Sequence, residues 1–345
     1  MKRNVFWLAA MAVTVSMASC SLEEVVEQPA PQAIGFSSFV GKPTKAVAQT
    51  EKSNLGSFQV YGGYATNTTV FNGVSVTSDD GTDWSYTNTQ YWVPGQSYKF
   101  AAMGPTDALT SKGTLSFDYA SGHLTLKDYT EAKLEDSEDI VYAGNVSRTT
   151  RSPLQSIDYE AVPFTFGHIM SWIKIKFVHD MTSGYKITVS DVNVENVKTK
   201  ATYTASSATP WSNPTESATF TTGQTPHSYK TSGNADDSTS PLNENGDYGI
   251  VDFIAIPQTI ATGTPFKVTF KLSVTDNKGT SLVTDKSVTA TMNSEQTWKS
   301  NYVYVYTAEL DETVLDLQPI KFTVSSVTPW DDDNDDDNQG GSLSY

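Results

Sequence analysis

The residues most able to do chemistry are few, and their spacing argues against an enzyme. Histidine occurs at His123, His168, His179 and His227, and no two are spaced to clasp a zinc ion from one helix. His168 lies inside Phe164-Thr165-Phe166-Gly167-His168-Ile169, beside a strand, where an imidazole reads as packed or hydrogen-bonded. The chain has no nucleophile elbow of the Gly-x-Ser-x-Gly type and no glycine-rich phosphate loop before a helix. The acids Glu135/Asp136 and Glu138/Asp139 stand in a loop-like acidic stretch and read as solvated, because adjacency does not set two carboxyls across a cleft. The run Asp331 to Asp337 lacks the spaced ligands and turning glycine of a calcium loop, so it reads as a solvated tail. Neither a cofactor nor a metal is expected. Trp84, Trp92, Trp211 and Trp298 could form a sugar platform, although most tryptophans in a sheet protein of this size are core.

One further reactive residue is Cys20, the single cysteine of 345 residues. Met1-Lys2-Arg3 gives a short basic start, and Val5 to Val15 is an apolar run too short to span a bilayer comfortably. Residues 1–19 therefore read as an export signal. Met17-Ala18-Ser19-Cys20 resembles a bacterial lipobox, which implies cleavage before Cys20 after its sulfur is diacylated. No intramolecular disulfide is possible, so stability must come from packing.

The elements that would position any site are strands. Phe266 to Thr275 alternates strictly, with Phe266, Val268, Phe270, Leu272 and Val274 on one face. Ile173–Val178, Ile187–Val194, Tyr302–Tyr306 and Ile320–Val324 repeat the pattern. Turn chemistry lies between strands at Asn72-Gly73, Asp80-Gly81, Pro94-Gly95, Ser183-Gly184 and Lys278-Gly279. No segment after residue 20 carries a convincing helical stripe, and the acids of Lys127 to Asp139 read as loop. The fold class is all-β, in two blocks of strands divided near residue 165. Without residues 1–19 the chain holds 21 basic against 39 acidic residues, a net charge of −18. Such a chain does not seek nucleic acid and offers no basic patch for phosphates.

Several stretches, in order, resemble the fimbrillin family, the pilins of type V pili in the Bacteroidales lineage. They begin with the lipobox, Ile34-Gly35-Phe36 and Pro43-Thr44-Lys45-Ala46, then Phe58-Gln59-Val60-Tyr61-Gly62-Gly63-Tyr64 and Val70-Phe71-Asn72-Gly73. Next come Trp84-Ser85-Tyr86, Tyr91-Trp92-Val93-Pro94-Gly95 and Tyr98-Lys99-Phe100-Ala101-Ala102. Asp139-Ile140-Val141-Tyr142-Ala143, Val162 to His168, Trp298 before Asn301-Tyr302-Val303-Tyr304, and Ile320 to Trp330 complete the series.

The resemblance implies two tandem transthyretin-like or Ig-like β-sandwich domains and a pilus subunit supporting adhesion. Behind the signal peptide (1–19) it implies a lipidated propeptide with a plug strand (20–45) and sandwiches at 46–165 and 166–330. The acidic tail (331–345), read as disordered from its composition, departs from the family pattern and leaves a shaft, anchor, accessory or tip position open. The plug would be Ala33 to Val40, with Ile34, Phe36, Ser38 and Val40 facing inward. A trypsin-like protease would cut between Lys45 and Ala46, with Lys52 as the alternative. The vacated groove would take a neighbour's C-terminal strand, for which Ile320, Phe322 and Val324 are the candidate inward residues. Without the resemblance, the plug reads as an ordinary first strand and the last strand as one that stays at home. Implied partners are other pilin subunits, the outer-membrane lipid anchor, the protease, and a host glycan or protein. The expected location is the outer membrane and the fimbrium. Asp237-Ser238-Thr239 resembles a short O-glycosylation signal at Ser238, against a plain-loop reading. The alternative function is a surface lipoprotein that binds glycan or host protein through its loops without polymerising.

Overall fold

The computed structural model describes residues 31–40, 55–65, 67–131, 137–179, 186–221, 227–230, 251–261, 267–276, 278–291, 295–310 and 321–330. The strands in chain order begin with β1 (Phe36–Val40), β2 (Ser57–Tyr64), β3 (Thr68–Thr77) and β4 (Ser97–Gly104). A single helical turn, α1 (Thr106–Leu109), precedes β5 (Thr114–Asp118), β6 (His123–Thr130), β7 (Val141–Thr149) and β8 (Val162–His168). Then come β9 (Ser171–His179), β10 (Lys186–Thr204), β11 (Trp211–Thr221), β12 (His227–Lys230), β13 (Val251–Ala255) and β14 (Thr259–Ile260). The chain closes with β15 (Lys267–Thr275), β16 (Ser281–Thr291), β17 (Gln296–Thr297), β18 (Tyr302–Leu310) and β19 (Lys321–Pro329). The protein is all-β, as its period-2 patterning predicts.

The alternation translates directly into faces. In β8, Val162, Phe164, Phe166 and His168 are buried while Pro163, Thr165 and Gly167 are exposed. In β15, Val268, Phe270, Leu272 and Val274 are buried, each followed by a half-exposed residue. Asn72-Gly73 departs from expectation. It lies inside β3, where Val60 pairs with Val74 and Tyr61 with Asn72, so Gly73 is the extra residue of a bulge. Its φ of +71° explains why glycine stands there.

Three principal sheets result. One has the order β1-β8-β7-β4-β2-β3; a second runs β16-β15-β10-β6-β5, with β11 and β12 also on β10; the third is β13-β9-β18-β19. Strand β10 binds the halves of the chain together. Its first residues pair with β12 and β15, its second half from Asn193 pairs with β11, and its last residues from Lys200 pair with β6. Register shifts interrupt the pairing around Asp191 and Asn196, whose φ values of 48° and 70° suit short Asx side chains. Residue 165 falls inside β8, and strands from both sides of it share the β10 sheet.

Among the described residues the buried apolar side chains form three clusters. The first lies under the β1-containing sheet, around Phe58, Phe71, Phe100, Phe164 and Phe166. The third fills the C-terminal part with Ile175, Phe177, Phe270, Leu272 and Tyr306. Between them, Tyr129, Ile169, Trp172, Tyr203, Val303 and Trp330 draw on both halves of the sequence.

Candidate functional site

Two edge strands carry the functional question. β1 occupies one edge of its sheet, pairing parallel with β8 from Phe36 opposite Val162 to Val40 opposite Phe166. Just before it, the Ile34 N–H donates to Gln90 O at 2.8 Å and the Trp92 N–H donates to Gln32 O at 3.1 Å. The Tyr86 hydroxyl donates to Ile34 O at 2.8 Å. Ile34 and Phe36 point into the first cluster, 1% and 5% exposed. The Phe36 ring stacks on Phe164 at 5.6 Å and meets Phe71 edge-on at 5.2 Å. Each of these two side chains gains roughly 1.5–3 kcal/mol by burial. Ser38 is also buried, and its hydroxyl oxygen has no hydrogen-bond partner among the described residues. Val40 lies in the strand, but its side chain is outside the described residues.

β19 forms the edge of the third sheet, antiparallel to β18. A register shift between Val305 and Tyr306 leaves Ser325 as the extra residue, so Val324 and Val327 both pack against the third cluster. Ile320 and the Phe322 side chain are outside the described residues. The strand runs directly into Trp330, which is fully buried and whose backbone N–H donates to Asn301 O at 2.9 Å. The Trp330 indole stacks on the His168 imidazole, centroids 4.5 Å apart and planes 1° from parallel. His168 Nδ1 lies 2.6 Å from Asp139 Oδ2, with both side chains wholly buried. Trp172 adds a tilted contact to Trp330 at 5.6 Å.

Asp139 therefore corrects the solvated reading of its acidic stretch: its carboxyl is buried on His168. His168 is packed and hydrogen-bonded, as its sequence context predicts. Asp139, His168 and Trp330 each fall in a separate stretch of the sequence resemblance, and their meeting was not foreseen. The only advance signal was an ionisable residue at the end of an otherwise apolar strand face.

The fimbrillin-like family matches residues 44–330 of this chain. This chain belongs to the fimbrillin-like family. Membership supports a surface fimbrial or adhesion protein that associates with other pilin subunits, and it suggests a structural protein over an enzyme. Among curated proteins none matches. A fimbrial protein of Bacteroides vulgatus shares the fold, with TM-score 0.53 and 17% identity over 87% of this chain and 99% of that one. A candidate cell adhesion protein of Bacteroides ovatus aligns at TM-score 0.49 and 15% identity, covering 87% and 98%.

Other residues of this fimbrillin-like chain fall as follows. Cys20, Lys45, Ala46, Lys52 and Ser238 lie outside the described residues, as do the tail from Asp331 and the acids Glu135 and Asp136. Trp92 and Trp298 are core, 4% and 1% exposed, as most tryptophans of a sheet protein are, and neither offers a sugar platform. Trp84 is half-buried against Phe58 at 4.5 Å, and Trp211 is half-buried against Tyr129 and Tyr203. His123 Nδ1 is 2.9 Å from the Tyr142 hydroxyl. His179 and His227 lie in β9 and β12. Among the described residues no group of three metal-binding side chains comes together, and no helix is long and apolar enough to cross a membrane.

Proposed function

We propose that this fimbrillin-like protein is a pilus subunit delivered as a lipoprotein and assembled by strand exchange. Cys20 would carry the lipid, residues 20–45 would form the propeptide, and cleavage between Lys45 and Ala46 would free β1. The two sandwiches would together span 46–330, the boundary expected near residue 165 falling within β8, with 331–345 as an acidic tail. The observation that carries this reading is β1 with the residues that lead into it: a five-residue edge strand, hydrogen-bonded along β8, whose Phe36 fills an aromatic groove together with Ile34 two residues before it. Removing it would expose Phe164, Phe71 and Phe100 beside the unpaired edge of β8, a strong template for an incoming strand. Ser38 supports exchange energetically, because a hydroxyl buried without a partner costs about 1–3 kcal/mol that an apolar residue avoids. The donor would be a neighbour's C-terminal strand, centred on Ile320, Phe322 and Val324.

Limited trypsin treatment of the full chain tests the proposal. The expected result is cleavage after Lys45, loss of the β1 peptide and heat-resistant oligomers, none of which form from Lys45→Ala. Monomers that keep their N-terminus after trypsin would overturn it. A second reading, a surface lipoprotein that binds glycan or host protein without polymerising, draws support from β19. That strand is seated in its own sheet and closed by the buried Trp330. Monomers after a confirmed cut at Lys45 would favour this second reading.

A further inference from the structure

A cleft of about 690 Å³, separate from both edge strands, opens between the 208–214 segment, residues 257–259 and residues 297–300. That volume falls in the range that encloses small organic ligands. Trp211 forms one wall. The ring is rigidly held: its Nε1–H donates to Ile169 O at 2.6 Å, and Tyr129 and Tyr203 pack against it at 5.7 and 5.2 Å. Pro210, Pro214 and Pro257 extend the apolar lining. Thr209, Asn213 and Lys299 line the cleft and are exposed, giving a hydroxyl, an amide and an ammonium at its rim. Glu216, two residues beyond Pro214, is paired with Lys200 at 3.4 Å.

The charge pattern is informative. The chain carries 39 acids against 23 bases, yet among the described residues lining this cleft none is acidic and the single charged one is Lys299. Three proline positions without an N–H make the wall a poor edge for an added strand. A rigidly held indole suits the polarised C–H groups of a flat apolar ring, because its π-face is electron-rich. A pyranose presents such a face with hydroxyls around it, and a carboxylate on that ring would find the one ammonium.

We propose that this cleft binds a carboxylate-bearing sugar residue, with the ring against Trp211, hydroxyls to Asn213 and Thr209, and the carboxylate to Lys299. The proposal does not depend on strand exchange. The probes are methyl glycosides of glucuronic acid and N-acetylneuraminic acid, with methyl glucoside as the neutral control. They are titrated into the full chain while indole N–H resonances are followed by NMR. The Trp211 signal is identified by its loss in Trp211→Phe. An acidic glycoside is expected to shift the Trp211 resonance and to bind roughly threefold more tightly than the neutral one, as an exposed charge pair allows. Raising salt to about 0.5 M should erase that preference. Lys299→Gln should erase it too, and Asn213→Asp should reverse it while keeping the side-chain type that its φ of 54° favours. Both positions are exposed, so neither variant threatens the fold. No shift with any glycoside, equal binding of acidic and neutral sugars, or a preference surviving Lys299→Gln would each overturn the proposal. So would a Trp211 shift produced only by a proline-rich peptide.

Discussion

β1 and β19 are both edge strands, yet they are held in different ways. β1 is five residues long; Ile34 just before it and Phe36 at its start point inward, ahead of a serine whose buried hydroxyl has no partner among the described residues. β19 is nine residues long and is followed at once by an indole clasped by His168 and Trp172. The first is well inserted but replaceable, because its final described inward position is poorly matched. The second is pinned at its end by an aromatic stack joined to a buried Asp139–His168 pair. The comparison teaches that edge position alone does not make a strand transferable; what matters is where its largest side chain is locked. Any release of β19 must first extract Trp330.

The largest way to break the contrast is Trp330→Ala. Truncating a fully buried tryptophan costs about 3–5 kcal/mol, and the loss should appear as a lowered denaturation midpoint and faster proteolysis of β19. If the midpoint barely moved, Trp330 would not be the lock. Phe36→Ala comes next, at about 3 kcal/mol in the uncut chain. The decisive control is a chain cut after Lys45, where the same substitution should change nothing because β1 has left. An equal loss in cut and uncut protein would mean that β1 stays in place after cleavage.

The strands themselves were largely legible in the sequence, because a half-buried strand writes its own period. β8 and β15 show this residue by residue. Ile34 and Phe36 sit on one face for the same reason. Periodicity gives a face but no partner, however, and this is where reading stops. Asp139 and His168 are 29 positions apart, and Trp330 is far from both, so nothing local announces their stack. The acidic residues around Asp139 made the neighbourhood look wet. Trp92 and Trp298 were open to a surface reading because tryptophan serves cores and platforms alike. β10 was half legible: Ile187–Val194 alternates, but the strand runs to Thr204 through register shifts that blur the pattern. Asn72-Gly73 looked like a hairpin turn because bulges and turns both recruit glycine with positive φ.

Alkaline titration sharpens the contrast at smaller amplitude. In β18, the strand beside β19, burial pushes the Tyr304 phenol up to about 12 and raises Tyr306 further. Tyr86, against β1, is also raised by burial. Each is protonated in the folded chain at a pH where the unfolded chain has begun to ionise. Their stabilisation is therefore complete below about pH 10 and lost as pH climbs toward 12, since the folded state then binds more protons. Stability measured from pH 9 to 12 should fall monotonically, and a flat profile would contradict the burial of these phenols.

The smallest predicted effect bears most directly on replaceability. Ser38→Ala removes a buried hydroxyl without adding volume, so the uncut chain should gain about 1 kcal/mol. A tighter β1 should also slow its departure after cleavage, lowering the rate of oligomer formation while leaving the trypsin cut unchanged. The two readouts separate the explanations. Stabilisation with slower assembly means that the mismatch at Ser38 helps β1 to leave. Stabilisation with unchanged assembly means that strand departure is not rate-limiting. No stabilisation at all means that the hydroxyl is satisfied in solution, and the contrast between β1 and β19 then rests on Trp330 alone.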